Sequence, residues 1–281
     1  MKADFKYSIS VATEPVLPSA PIVYRGNILE ILQKTKSFGY DAIELQLRNP
    51  QKINGTALKA MCDGLGMSIS AIATGLEYSM SGLSMIDDDE QRRAEMREKL
   101  FADVELAQIF DCPVIIGCVR GNIPPHGDCE AYLERFAEEM CLLSDKATAH
   151  GVTIVLEAIN FYVNNYLCTV RDTCDFIDRL GRKNIKLHID THHMAIEEGN
   201  SIRAIHYAGK RIGYVHFCEN NRMYPGACGI DFLQVMQALV EVDYHGYIAL
   251  EITPRPTEDI SAKRGITYLK TLSELVEYAI V

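Results

Sequence analysis

The sequence predicts an α/β protein built as a single (β/α)8 barrel, and three observations carry that prediction. Eight short apolar runs alternate with eight segments of helical character along the 281 residues. Such alternation argues for parallel strands joined by helical crossovers, and eight repeats argue for closure. After the first run the chain carries prolines, EPVLPSAP (14–21), where an open doubly wound sheet would place a glycine-rich loop. No linker or low-complexity stretch interrupts the series, so one domain over residues 1–281 is expected, near the roughly 250 residues typical of such barrels.

The elements follow in order. YSISVA (7–12) reads as the first strand, and ILEILQKTKSF (28–38) as a helix that stops at Gly39, a residue suited to a left-handed cap. DAIELQL (41–47) and GTALKAMCDGLG (55–66) form the second unit, and MSISAIATG (67–75) is the third strand. A longer connection then reaches the acidic run DDDE (87–90), which opens a helix through Phe110. Acidic residues there complement the helix dipole, so the run reads as a helix start and not as a binding site. PVIIGC (113–118) is the fourth strand, with its helix from Glu130 to His150. The last four strands are TIVLE (153–157), IKLHID (185–190), IGYVH (212–216) and YIALE (247–251). Their helices are TVRDTCDFIDRL, SIRAIHYAG, DFLQVMQALVEV and GITYLKTLSELVEYAI.

Composition excludes several classes. A formal net charge of −10 disfavours nucleic acid and anionic membranes as partners. No apolar stretch approaches the roughly 18 residues of a membrane span, and MKADFKYSISVATEPV lacks a signal-peptide core. The nine cysteines are scattered without a CxxC pair, as expected of reduced structural thiols in a cytoplasmic protein.

Four side chains end the last four strands: Glu157, Asp190, His216 and Glu251. Side chains alternate faces along a strand, so Val155 and Glu157 share one face, as do His188 and Asp190, Tyr214 and His216, and Ala249 and Glu251. All four candidates therefore point into the barrel at its carboxyl end, where barrel enzymes place their chemistry. Any one of them alone would be an ordinary solvated or salt-bridged residue. Three carboxylates converging without a cation would be costly, and with the histidine they make an oxygen-rich site for one divalent ion. Glu44 has the inner parity of the second strand and could orient a ligand or bind substrate. Arg120 and Arg255 follow the fourth and eighth strands and could meet a substrate phosphate. His192 is expected to face a neighbouring loop.

The segments LEAIN, HIDTHHMAIEEGN, VHFCENNRMYPG and ALEI resemble the xylose isomerase-like TIM-barrel superfamily, and within it the D-tagatose and D-psicose (ketose) 3-epimerase group. The resemblance spans most of the chain in architecture and is specific from about residue 153 to 252. It implies one divalent cation, Mn2+ foremost and Mg2+, Co2+ or Zn2+ otherwise, held by Glu157, Asp190, His216 and Glu251. The motif DTxHM matches Asp190–Met194 and implies substrate binding by His193. The motif E-x-N-R-x-x-P-G matches Glu219–Gly226 and implies the same for Arg222. Homo-oligomers, dimers or tetramers, are common among such relatives. The chain departs from the group at Asn160-Phe161-Tyr162-Val163, where a glutamate contact to the sugar is replaced, at Ile-Thr-Pro-Arg-Pro after Glu251, and in having no tryptophan.

The chemistry then expected is inversion at C3 of a ketose, free or phosphorylated. A cation on the carbonyl stabilises the enediolate formed when the neighbouring proton leaves, and Glu157 and Glu251 serve as bases on its two faces. Proton return to the adjacent carbon would instead make an aldose–ketose isomerase of the hydroxypyruvate type, and a polyol, cyclitol or sugar acid could replace the ketose. An endonuclease-IV-like enzyme needs extra histidines after the third and fourth strands, where this chain has Ala73-Thr74-Gly75 and Gly117-Cys118-Val119. A barrel that binds metal and ligand without catalysis leaves the two bases unexplained.

Overall fold

A computed structural model describes residues 4–279. Eight parallel strands run Lys6–Ala12, Ala42–Gln46, Ser68–Ala73, Val114–Ile116, Ile154–Glu157, Ile185–Asp190, Ile212–Phe217 and Tyr247–Leu250. Each pairs with its neighbour in chain order, and the first pairs with the last from Lys6↔Tyr247 to Ile9↔Leu250, which closes the barrel. A two-residue strand, Tyr24–Arg25, adds to the edge of the first.

The expected strand parity holds. Ala71, Ala73, Ile115, Val155, Tyr214 and Ala249 pack together inside the barrel. Leu156, Leu187, Ile189 and Val215 join the main core beneath the helices. Inside the barrel, Ser8, Ser70 and Tyr214 form a buried hydroxyl chain at 2.6 and 2.7 Å. This chain satisfies polar groups that water cannot reach. Asp89 caps the helix Glu90–Phe110 by accepting from the Gln91 N–H, so the acidic run does start a helix. Gly39 ends the first helix at φ 96°, a conformation that glycine adopts without strain.

The structure adds two helices the sequence reading did not separate: Gly75–Ser81 and Thr191–Glu197, each 7 residues long. Two turns are too short to display a 3.6-residue apolar period. The fourth strand is also shorter than expected, because at Gly117 the chain leaves the sheet into a tight turn over Cys118–Arg120. The last helix begins at Glu258, ahead of the expected start at Gly265, and Ile280 lies outside the described residues. Among the described residues no helix is long and apolar enough to cross a membrane.

Candidate active site and metal centre

The four strand-end residues meet at the carboxyl mouth of the barrel. Glu157, Asp190 and His216 are buried, and the Glu251 side chain is 16% exposed. His216 Nδ1 stands 3.9 Å from Asp190 Oδ2 and 3.7 Å from Glu251 Oε2. Potential ligand atoms fall into three overlapping sets within 4.8 Å: Glu157 with His188 and His216; Glu44 with His216 and Glu251; Glu157 with Asp190 and His193. The expected quartet is thus spread over these sets and not gathered into one.

Glu44 fixes the histidine. Its Oε2 accepts from His216 Nε2 at 2.6 Å, and its Oε1 accepts from Ser10 Oγ at 2.6 Å and Gln46 Nε2 at 3.0 Å. A carboxylate on the far nitrogen sets the ring's orientation and leaves Nδ1 facing the cluster. Nδ1 has no hydrogen-bond partner among the described residues. Burial acts to lower the His216 pKa, but Glu44 first and Glu251 next lift it to about 10. Burial likewise acts to raise Glu44, yet the His216 charge and hydrogen bond bring it below the usual carboxylate range.

The acids around them are unlike one another. Burial and then the Glu251 charge push the Glu157 carboxyl up. Burial also raises Glu251, against His216 and Arg222, which lower it. Asp190 goes the other way: burial opposes its ionisation, but Arg222, His193 and His216 hold it well below the usual range. Arg222 is the centre of this network. Its Nη1 donates to Asp190 Oδ2 at 2.6 Å and to Glu251 Oε2 at 2.9 Å, and its Nη2 donates to His193 Nε2 at 3.0 Å. Because guanidinium only donates, His193 accepts at Nε2, and on its other side the Asn160 amide nitrogen stands 2.6 Å from Nδ1.

Of the secondary candidates, the structure brings Glu44 to the cluster and leaves the two loop arginines out. Arg120 is fully buried, donates to the Glu157 carbonyl at 2.9 Å, and lies 5.1 Å over the Tyr166 ring. It braces the backbone of the fifth strand and cannot meet a phosphate. Arg255 is exposed on the loop after the eighth strand, its Nη2 3.5 Å from the Asn221 carbonyl. His192 does touch the neighbouring loop, at the Asn220 carbonyl 3.0 Å away, and it also lines the cavity.

Sequence reasoning missed four residues. His188 is fully buried against His216, with ring centroids 4.2 Å apart, and neither of its nitrogens has a hydrogen-bond partner among the described residues. Gln46 bonds both Glu44 and Glu251, and its i+2 spacing from Glu44 was a usable signal. Asn160 and Gly117 carried none.

A cavity of about 340 Å³ opens above the cluster. Glu157, His193, His216, Arg222 and Glu251 form its polar floor, and Leu17, Ala20, Ile22, Leu76 and Val163 make much of its apolar wall. The proline-rich first loop thus closes one side. The donor set suits a divalent cation: three carboxylates and one imidazole nitrogen without a hydrogen-bond partner among the described residues, with Arg222 Nη1 lodged as a positive charge between two of the acids.

The model of the family described as xylose isomerase-like TIM barrel matches residues 32–272. An L-ribulose 3-epimerase of Methylomonas sp. (strain DH-1) is 31% identical over 216 residues, covering 76% of this chain and 74% of that protein. A D-psicose 3-epimerase of Agrobacterium fabrum is 32% identical over 227 residues, covering 78% and 77%. A solved structure of L-ribulose 3-epimerase superposes with a TM-score of 0.83 at 24% identity, covering 97% of this chain and 96% of that one, a likeness of fold. The chain therefore belongs to the xylose isomerase-like TIM-barrel family, beside its ketose 3-epimerases, and is an enzyme of the carbohydrate isomerase and epimerase class.

Proposed function

We propose that the protein inverts C3 of an unphosphorylated ketose by two-base proton transfer. The observation that carries this reading is the pair Glu157 and Glu251, at the end of the fifth strand and directly after the eighth, both lining one cavity with Arg222 and His193 between them in the network. Glu157, Asp190, His216 through Nδ1, and Glu251 would hold the cation. When bound, it polarises the substrate carbonyl and stabilises negative charge on the enediolate. Mn2+ is the ion proposed, since hard oxygen donors with one imidazole suit it.

The chain's own residues do the rest. One glutamate removes the C3 proton, and the other returns a proton to the opposite face. Arg222 and His193 hold the substrate oxygens and offset charge developing on them. The apolar wall excludes water from the carbanion-like carbon. Among the described residues no lysine lines the cavity, and the charge of its one arginine is balanced by Asp190 and Glu251, which disfavours a phosphorylated substrate. Nine free thiols suit the reducing cytoplasm proposed as its setting.

The test is a panel of L-ribulose, D-psicose, D-fructose and D-tagatose with Mn2+, and with EDTA as the control. Metal-dependent appearance of the C3 epimer is expected for at least one sugar. Aldose formation in place of the epimer would move the chain to the isomerases.

Gly117 supplies a second test. A Cβ placed there would meet Glu157 Oε2 at 2.5 Å, the far end of a side chain, so the fold can give way while the base is displaced. Gly117→Ala is expected to lower kcat/KM roughly 100-fold, in line with an ångström-scale misplacement, and to leave Tm within about 4 °C. Unchanged kinetics in this variant would remove Glu157 from the reaction.

A further inference from the structure

We infer that Glu219 is a positioning residue that sets Arg222 for substrate; this rests on the reading of Arg222 as a substrate contact. Glu219 follows the seventh strand and is fully buried. A buried carboxylate is costly unless hydrogen bonds compensate it, and here they come entirely from the backbone of its own loop. Its Oε1 accepts from the Gly226 and Cys228 N–H groups, both at 3.0 Å, and its Oε2 accepts from the Ile230 N–H at 3.1 Å.

Those bonds tie down the far half of the loop that carries Arg222. The near half closes on the Glu219 backbone, whose carbonyl accepts from the Arg222 N–H at 2.9 Å and whose N–H donates to the Met223 carbonyl at 3.0 Å. Arg222 itself sits at φ 61°, a left-handed conformation costly for a residue with a side chain. From the next loop, Thr253 donates to the Arg222 carbonyl through its N–H at 2.7 Å and its Oγ1 at 2.9 Å. The guanidinium reaches Asp190, Glu251 and His193 from a backbone clamped on both sides. Remove the Glu219 carboxylate and the loop loses three anchors, while the strand-borne acids and His216 stay in place.

Glu219→Gln keeps a carbonyl oxygen for Gly226 and Cys228 and loses the bond to Ile230. It is compared with wild type and with Arg222→Lys in a double-mutant cycle, using the Mn2+-loaded enzyme and L-ribulose. Loss of one charge-assisted bond should lower kcat/KM about tenfold, chiefly through KM, with Mn2+ affinity by calorimetry within about twofold of wild type. In the Arg222→Lys background the same change should cost less than about twofold, because its route is already cut. Equal losses in both backgrounds, a parallel loss of Mn2+ affinity, or no effect in wild type would each overturn the inference. If Arg222→Lys alone leaves kcat/KM unchanged, the reading of Arg222 as a substrate contact is what fails, and a Glu219→Gln loss persisting there overturns the inference as well.

Discussion

Glu157→Gln is expected to abolish inversion at C3 while still exchanging the C3 proton of one epimer with solvent. Positioned bases contribute about 10²–10⁴-fold, so epimer formation should fall by that factor. The reason for the surviving exchange is the division of labour between the two carboxylates. With one base gone, the other still removes the proton from the epimer it faces and returns deuterium to the same side. Glu251→Gln should show the mirror pattern, exchanging only the other epimer. Glutamine keeps a carbonyl oxygen, so each variant is compared at saturating Mn2+. Proton NMR in D2O, started from each epimer in turn, reads the result. Loss of exchange from both epimers in one variant and from neither in the other would show that a single base serves both faces.

Metal removal should destabilise the protein more as pH rises. Glu157 has a pKa raised above its unfolded value of 4.5, so the folded, metal-free protein holds that proton and loses the associated stability as pH climbs through the raised value. His216, raised from 6.5 to about 10, contributes stability that is complete below 6.5 and is lost on the way to 10. Asp190 is depressed, so its contribution is present above 3.8 and disappears only in acid. Below 6.5 the neutral, buried His188 and His193 act the other way, so the metal-free protein weakens between about pH 6.5 and 10. A cation replaces the protons on Glu157 and on His216 Nδ1, and its affinity rises as those protons leave. At a hundredfold excess over Kd the ion should add about 2.7 kcal/mol, roughly 5–10 °C in Tm, and the increment should grow from pH 5 to pH 9. A Tm difference between Mn2+ and EDTA samples that stays flat over that range would place the titrating groups outside the metal's reach.

Much of this site was legible in the sequence because strand parity is a strict rule. Glu157, Asp190, His216 and Glu251 share the inner face with Val155, His188, Tyr214 and Ala249, and a period of two makes that readable without coordinates. Glu44 was placed correctly by the same rule, although its bond to His216 joins residues 172 apart and leaves no local trace. What could not be read was set by loops. Arg120 sits in a three-residue turn where no periodicity tells buried from exposed, and its burial against Tyr166 depends on a segment some 46 residues away. Arg222 takes a positive φ that its residue type disfavours, and only the surrounding hydrogen bonds enforce it. The helix Thr191–Glu197 begins directly at Asp190, whose carboxylate caps the His192 N–H at 2.7 Å. One residue there ends a strand, caps a helix and faces the cation site, and the strand pattern shows only the first of these.

The central claim is inversion at one carbon by two bases, and the wild-type enzyme in D2O tests it most directly. Incubated with L-ribulose and Mn2+, it should give a C3 epimer carrying one deuterium at C3, with C1 unlabelled and no reaction in EDTA. Deuterium at C1 with aldose formed, or epimer formed without solvent label, would contradict it.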